Sequence, residues 1–125
     1  MISYMNENKI LTYKDLIVWG KSVLLIKSIY MVTKKFPREE LYSLTDQIRR
    51  AAISIASNIA EGYGRKSHRE YLQFYSIAYG SALEVEAQLI ISKKLGFILN
   101  TDFDKINPLL TEIIKMLYVM TYKRP

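Results

Sequence analysis

The chain has 125 residues, half of them hydrophobic, with 18 Lys and Arg against 12 Asp and Glu for a formal net charge of +6. That length points to one domain, residues 1–125, and the apolar share is enough for a core without cross-links. Cysteine is absent, which excludes disulfides, thiolate metal sites and a cysteine nucleophile, and fits a reducing cytoplasmic setting.

The first residues, MISYMNENKILTYKDLIVWG, carry no basic head followed by an apolar run, so no signal peptide is expected. No apolar run approaches the roughly 20 residues of a membrane helix, so no membrane partner is expected either. The positive balance favours a polyanion such as nucleic acid; the plain alternative is that the charge serves solubility.

The pattern is helical nearly throughout, with four predicted helices and no convincing strand. The first spans about 13–35. Thr12 with Asp15 reads as its N-cap pair, and Leu16, Trp19, Val23, Ile26 and Tyr30 recur at spacings of three and four along one face. Phe36-Pro37 ends it, because the residue before proline is pushed out of helical geometry. The second spans about 38–61, its start lying either just after Pro37 or at Ser43, which has Asp46 three later. Its core stripe is Leu41, Leu44, Ile48, Ala51, Ile55 and Ile59. Gly62 and Gly64 are expected to close it in the left-handed C-cap conformation.

The third helix spans about 68–95. Ser67 and Glu70 form an S-x-x-E capping box, and Gly96 is the stop. The fourth spans about 102–122, with Thr101 and Asp104 as a cap pair and Pro108 expected to kink it or split off a first turn. Residues 1–11 and 123–125 read as loose ends. Short connections between long helices imply antiparallel neighbours, hence an all-α, up-down-up-down four-helix bundle.

Three surfaces stand out. On the second helix, Gln47, Arg50, Ser54, Asn58 and Glu61 fall within about 80° of one another, roughly 110° from the apolar stripe. Ser and Asn are mediocre helix formers, so this stripe implies specific hydrogen bonding, either to a neighbouring helix or subunit or to a ligand. The third helix is apolar over about half its circumference, from Tyr71 to Ile90, which exceeds what a bundle helix needs. Self-association would cover the excess; a deeply buried central helix would also account for it. Its polar arc, Glu70, Gln73, Ser81, Glu84 and Gln88, is placed to face the stripe on the second helix, where the spacing allows, without fixing, a network linking Ser81 and Glu84 to Arg50 and Asn58. The third surface is the loop Gly62-Tyr63-Gly64-Arg65-Lys66-Ser67-His68-Arg69. It puts four basic or titratable residues beside a helix N-terminus, which suits phosphate, with Tyr63 available to stack on a base. A capped turn with solvated side chains is the structural alternative.

Catalytic signals are missing. His68 is the only histidine, there is no Glu-x-x-His pair of the di-iron type, and Glu84 and Glu86 point to different faces. No phosphate-binding glycine loop or nucleophile motif occurs. Neither cofactor nor metal is expected, and no enzyme activity.

The segments Leu16-x-Val-Trp19, Ile29-Tyr30, Phe36-Pro37, Gln47-Ile-Arg-Arg50-Ala-x-x-Ser54-Ile-x-x-Asn58-Ile-Ala-Glu61-Gly62, Arg65 and Ile77-Ala-x-Gly80-Ser81-x-x-Glu84 together resemble the bacterial 23S rRNA intervening-sequence proteins. The resemblance extends over about residues 12–120. It implies a four-helix bundle assembling as a homopentamer, related to the accessory variability determinant of diversity-generating retroelements, which binds nucleic acid and a reverse transcriptase. The pattern residues are Gln47, Arg50, Ser54, Asn58, Glu61, Arg65, Ser81 and Glu84. In a pentamer, five copies of a +6 chain carry about +30. The expected function is a non-enzymatic scaffold for RNA or DNA backbone, using Arg65, Lys66 and Arg69, then Arg49, Arg50 and Tyr63. The alternative is an adaptor module for a protein partner.

Overall fold

The computed structural model describes residues 9–123, and among these the chain forms four α-helices and no strand. They are α1 (Ile17–Thr33), α2 (Leu44–Tyr63), α3 (His68–Lys94) and α4 (Asn100–Tyr122), with single 3-10 turns at Tyr13–Asp15 and Arg38–Glu40. The loose ends expected at the termini fall largely on residues 1–8 and 124–125, outside the described residues. No described helix is long and apolar enough to cross a membrane.

The helices touch in a closed cycle, α1 on α2, α2 on α3, α3 on α4 and α4 on α1, while the diagonal pairs do not meet. The centre is filled by Leu25 and Ile29 of α1, Ile48, Ile55 and Ile59 of α2, Tyr75, Val85 and Leu89 of α3, and Leu110, Ile113 and Leu117 of α4. The most extensive seam is α2–α3. Ala51, Ala52 and Ala56 on one side and Ala78 and Ala82 on the other are all buried, and such short side chains let two helix backbones approach closely.

Several ends differ from the sequence expectation. The Thr12–Asp15 capping box forms, but it closes only the Tyr13–Asp15 turn. Leu16 then adopts an extended conformation and α1 starts at Ile17. Its deepest line is Val18, Ser22, Leu25, Ile29 and Val32, one residue away from the predicted stripe, whose members Leu16, Trp19 and Ile26 pack half-buried at the rim. Apolar residues surround α1 on most sides, so spacing alone does not select the inner face. α1 stops at Thr33, and Phe36 folds back into the core against Phe97, ring centres 5.8 Å apart. α2 starts at Leu44 after the Arg38–Glu40 turn, and Ser43 makes no side-chain cap. Leu41 precedes the helix and is exposed rather than core.

Glycine is used in two distinct ways. Gly96, at φ +79°, ends α3: Gly96 N–H donates to Lys93 O at 3.1 Å and Phe97 N–H to Ser92 O at 2.9 Å, the paired bonds of a Schellman motif. Neither Gly62 nor Gly64 adopts positive φ. Gly62 lies inside the last turn of α2, buried where α3 crosses, and Gly64 caps in right-handed geometry. Ser67 accepts the Glu70 N–H, so half of the predicted box forms. The Thr101–Asp104 cap is absent: α4 begins at Asn100 behind an extended Leu99, with no side-chain cap, and continues through Pro108. Proline there removes the donor for the Asp104 carbonyl, and both residues lie on the exposed side of the helix, open to solvent.

Candidate functional site

The polar stripe of α2 meets α3 at Ser54 and Gln47, while Arg50 and Glu61 face solvent. Ser54 Oγ lies 2.8 Å from Ser81 Oγ. Asn58 Nδ2 donates to Ser54 O at 2.8 Å and to Ser54 Oγ at 3.0 Å, locking the pair. One end of the seam is closed by Gln88, whose Nε2 donates to Glu84 Oε2 at 3.2 Å and to Gln47 Oε1 at 3.4 Å. Ser81 and Gln88 are buried, while Gln47, Arg50, Glu61 and Glu84 remain exposed. The predicted link from Arg50 to Ser81 and Glu84 does not form, because Arg50 turns along its own helix to Asp46, 2.9 Å away. Gln88 Oε1 is buried without a partner among the described residues.

The loop between α2 and α3 is basic and open. Arg65 is held in place, its guanidinium 4.4 Å from the centre of the Phe74 ring and 3.4 Å from Glu61. Lys66 and Arg69 are exposed, and neither pairs with a carboxylate among the described residues. His68 stacks on Tyr71 at 5.7 Å and an interplanar angle of 15°. Tyr63 is half-buried in the last turn of α2.

Arg49 belongs elsewhere. Its Nε donates to Thr33 Oγ1 at 2.8 Å, and its guanidinium lies 4.5 Å from the Tyr30 ring centre, joining α2 to α1. Arg49 and Arg50 occupy the start of α2 and Arg65 follows its end, roughly 20 Å away along the axis. The six residues expected to contact nucleic acid therefore divide between two ends of the bundle.

Among the described residues no group of three His, Cys, Asp or Glu is placed to hold a metal ion. Arg50, Glu61 and Glu84 line none of three surface cavities. One of these opens between α1 and α2 beside Thr33, Lys34, Arg38, Thr45 and Arg49, a second is an apolar groove on α4, and a third lies between α1 and α4. Of the first group, only Arg49 was singled out by sequence patterning. Lys34 reads as a charge complementing a helix end, and Thr33 and Thr45 carry no signal until the chain turns at Pro37.

A family model described as 23S rRNA-intervening sequence protein matches residues 14–119, including both the polar seam and the basic loop. The chain belongs to that family. Among solved structures, the 1.70 Å crystal structure of a protein with unknown function from the S23 ribosomal protein family of Bacteroides thetaiotaomicron superposes with a TM-score of 0.78. It is 27% identical, and the match covers 85% of this chain and 99% of that one. No curated protein matches. In this family member, pattern positions Ser54 and Ser81 join α2 to α3, Asn58 anchors Ser54 within α2, and Arg65 braces the loop between the helices.

Proposed function

We propose that this family member is a non-enzymatic, cytoplasmic, homo-oligomeric scaffold that presents its Arg65–Arg69 loop to the backbone of RNA or DNA. The observation that carries the reading is the state of that loop: Lys66 and Arg69 are exposed, with no carboxylate partner among the described residues, beside the α3 N-terminus. Arg65, pinned on Phe74, keeps the loop in place.

An antiparallel bundle supports this arrangement. Along α2 the partners across the seam descend as position rises, Gln47 with Gln88, Ser54 with Ser81, Gly62 with Tyr75. Lys21 of α1 with Glu112, and Lys35 just past α1 with Asp102, descend in the same way along α4.

A closed ring of pentameric type is favoured by two different apolar strips at opposite corners. Ile17, Leu24 and Met31 are exposed at seven-residue spacing on α1, and Ile77, Leu83, Ile90 and Ile91 are exposed on α3. A ring uses two unlike, complementary faces per subunit, whereas a two-fold dimer uses one face twice. Ring closure would bring five loops together and strengthen binding through multivalency.

The test is binding of a fluorescent structured RNA and a duplex DNA at low and physiological salt. Tight binding that weakens steeply with salt supports the reading, since neutralised phosphates release counterions. No binding at low salt contradicts it. The division of basic residues between two ends favours a second reading, an adaptor whose apolar strips engage a protein partner such as a reverse transcriptase.

A further inference from the structure

A cavity of about 220 Å³ opens where α1 stops and α2 starts. Lys34, Arg38 and Arg49 line it, and no carboxylate of the described residues does. None of the three forms an ion pair with any described residue. Arg49 is fixed from behind: Thr33 Oγ1 accepts its Nε–H while donating to Ile29 O at 2.6 Å, and Tyr30 supports the guanidinium face. Its two terminal nitrogens make no hydrogen bond within the described residues.

Thr45 supplies an independent observation. It is only 3% exposed, yet it lines the cavity. The buried hydroxyls of Ser22, Thr33 and Ser92 each donate to the carbonyl four residues back. Thr45 forms no such bond, nor any other side-chain hydrogen bond among the described residues. It also sits in the first turn of α2, where Ser43 caps nothing and donates instead to Glu40 Oε1 at 2.8 Å. Main-chain N–H groups at a helix start carry partial positive charge and favour an anion.

We propose that this cavity is a binding site for a small phosphomonoester dianion, held by Lys34, Arg38, Arg49 and the Thr45 hydroxyl. Three unpaired cations match a doubly charged phosphate better than a single carboxylate. The volume lies below the roughly 300–1,000 Å³ of pockets for drug-sized ligands, so phosphate with a short organic stub fits and a whole nucleotide does not. Phe36 supplies an apolar wall for the stub. The site is separate from the Arg65–Arg69 loop and does not depend on the scaffold reading.

The test is titration of the full chain, followed by amide NMR and calorimetry. The probes are inorganic phosphate, glycerol 3-phosphate, and a dinucleotide with and without a 5′-phosphate. The expected result is saturable binding with shifts confined to Thr33–Arg38 and Thr45–Arg49. Thr45→Val and the double variant Lys34→Ala/Arg38→Ala, the latter pair at exposed positions, should each weaken it about tenfold or more. Glycerol 3-phosphate binding as tightly as the phosphorylated dinucleotide supports the small-ester site; clear preference for the phosphorylated dinucleotide overturns it in favour of a nucleic-acid end. Failure of every phosphate probe to saturate, or binding unchanged in both variants, overturns the proposal.

Discussion

A β-carbon on Gly62 would lie 2.7 Å from Cε1 of the Tyr75 ring and 3.1 Å from Cβ of Phe74, so α2 and α3 meet there at backbone distance. Tyr75 is 1% exposed and packed edge-on against Tyr71, ring centres 4.3 Å apart, which leaves it little room to retreat. Gly62→Ala is predicted to destabilise the protein by about 1–3 kcal/mol, the range for overpacking a filled core. That loss exceeds the gain of up to ~1 kcal/mol from alanine's better helix propensity. Gly80→Ala is the control: a β-carbon there meets nothing within 4 Å, so denaturant unfolding should show no loss of stability.

The polar seam gives a second prediction. Ser54 and Ser81 share one hydrogen bond, and Asn58 anchors it. A double-mutant cycle with Ser54→Ala and Ser81→Ala should return a coupling of about 0.5–1.5 kcal/mol, with either single variant costing more than half of the double. Zero coupling would mean that the seam is held by its alanines alone.

These two cases show what sequence does and does not make legible. The stripe Ser54, Asn58, Glu61 stood out because Ser and Asn are poor choices for a solvated helix face, and the structure bonds Ser54 to Ser81 of α3, with Asn58 bonded to Ser54 on its own helix. Gly62 was misread as a helix stop because its meaning depends on Tyr75, thirteen residues away across a turn. Gly96 was read correctly because its role is local, in the six residues of one Schellman motif. The inner face of α1 was missed by one position because its composition has little polar contrast. Thr101 with Asp104 has the spacing of a cap, yet α4 starts at Asn100, two residues earlier than expected, which places both inside the helix.

Acid should release the turn before α1. The Asp15 carboxylate accepts the Leu11 N–H at 2.9 Å and the Thr12 N–H at 3.1 Å. The Leu11 bond, then the Thr12 bond, lowers its pKa from the ordinary 3.8. A folded-state pKa below the unfolded one means that the turn is stabilised above 3.8 and loses that stabilisation as pH falls through the folded value. Leu11 and Thr12 amide shifts should therefore titrate with a midpoint under 3.8, and Asp15→Asn should abolish the transition. A midpoint at or above 3.8 would contradict the assignment.

Assembly can be tested one face at a time. Leu24 on α1 and Leu83 on α3 are 54% and 38% exposed and belong to different strips. If a ring joins one strip to the other, Leu24→Lys alone and Leu83→Lys alone should each lower the mass measured by light scattering to that of smaller species. A wild-type chain that is already monomeric would remove the ring from the account.

The most direct measurement is the salt dependence of RNA and duplex DNA affinity for the wild type and for Arg65→Ala/Lys66→Ala/Arg69→Ala. Each lost phosphate contact should reduce the slope of log K against log salt by about 0.9 on duplex DNA and ~0.7 on single strands. The scaffold account predicts a steep wild-type slope that flattens clearly in the triple variant, with the fold unchanged. Equal slopes for the two proteins would show that this loop does not carry nucleic-acid binding.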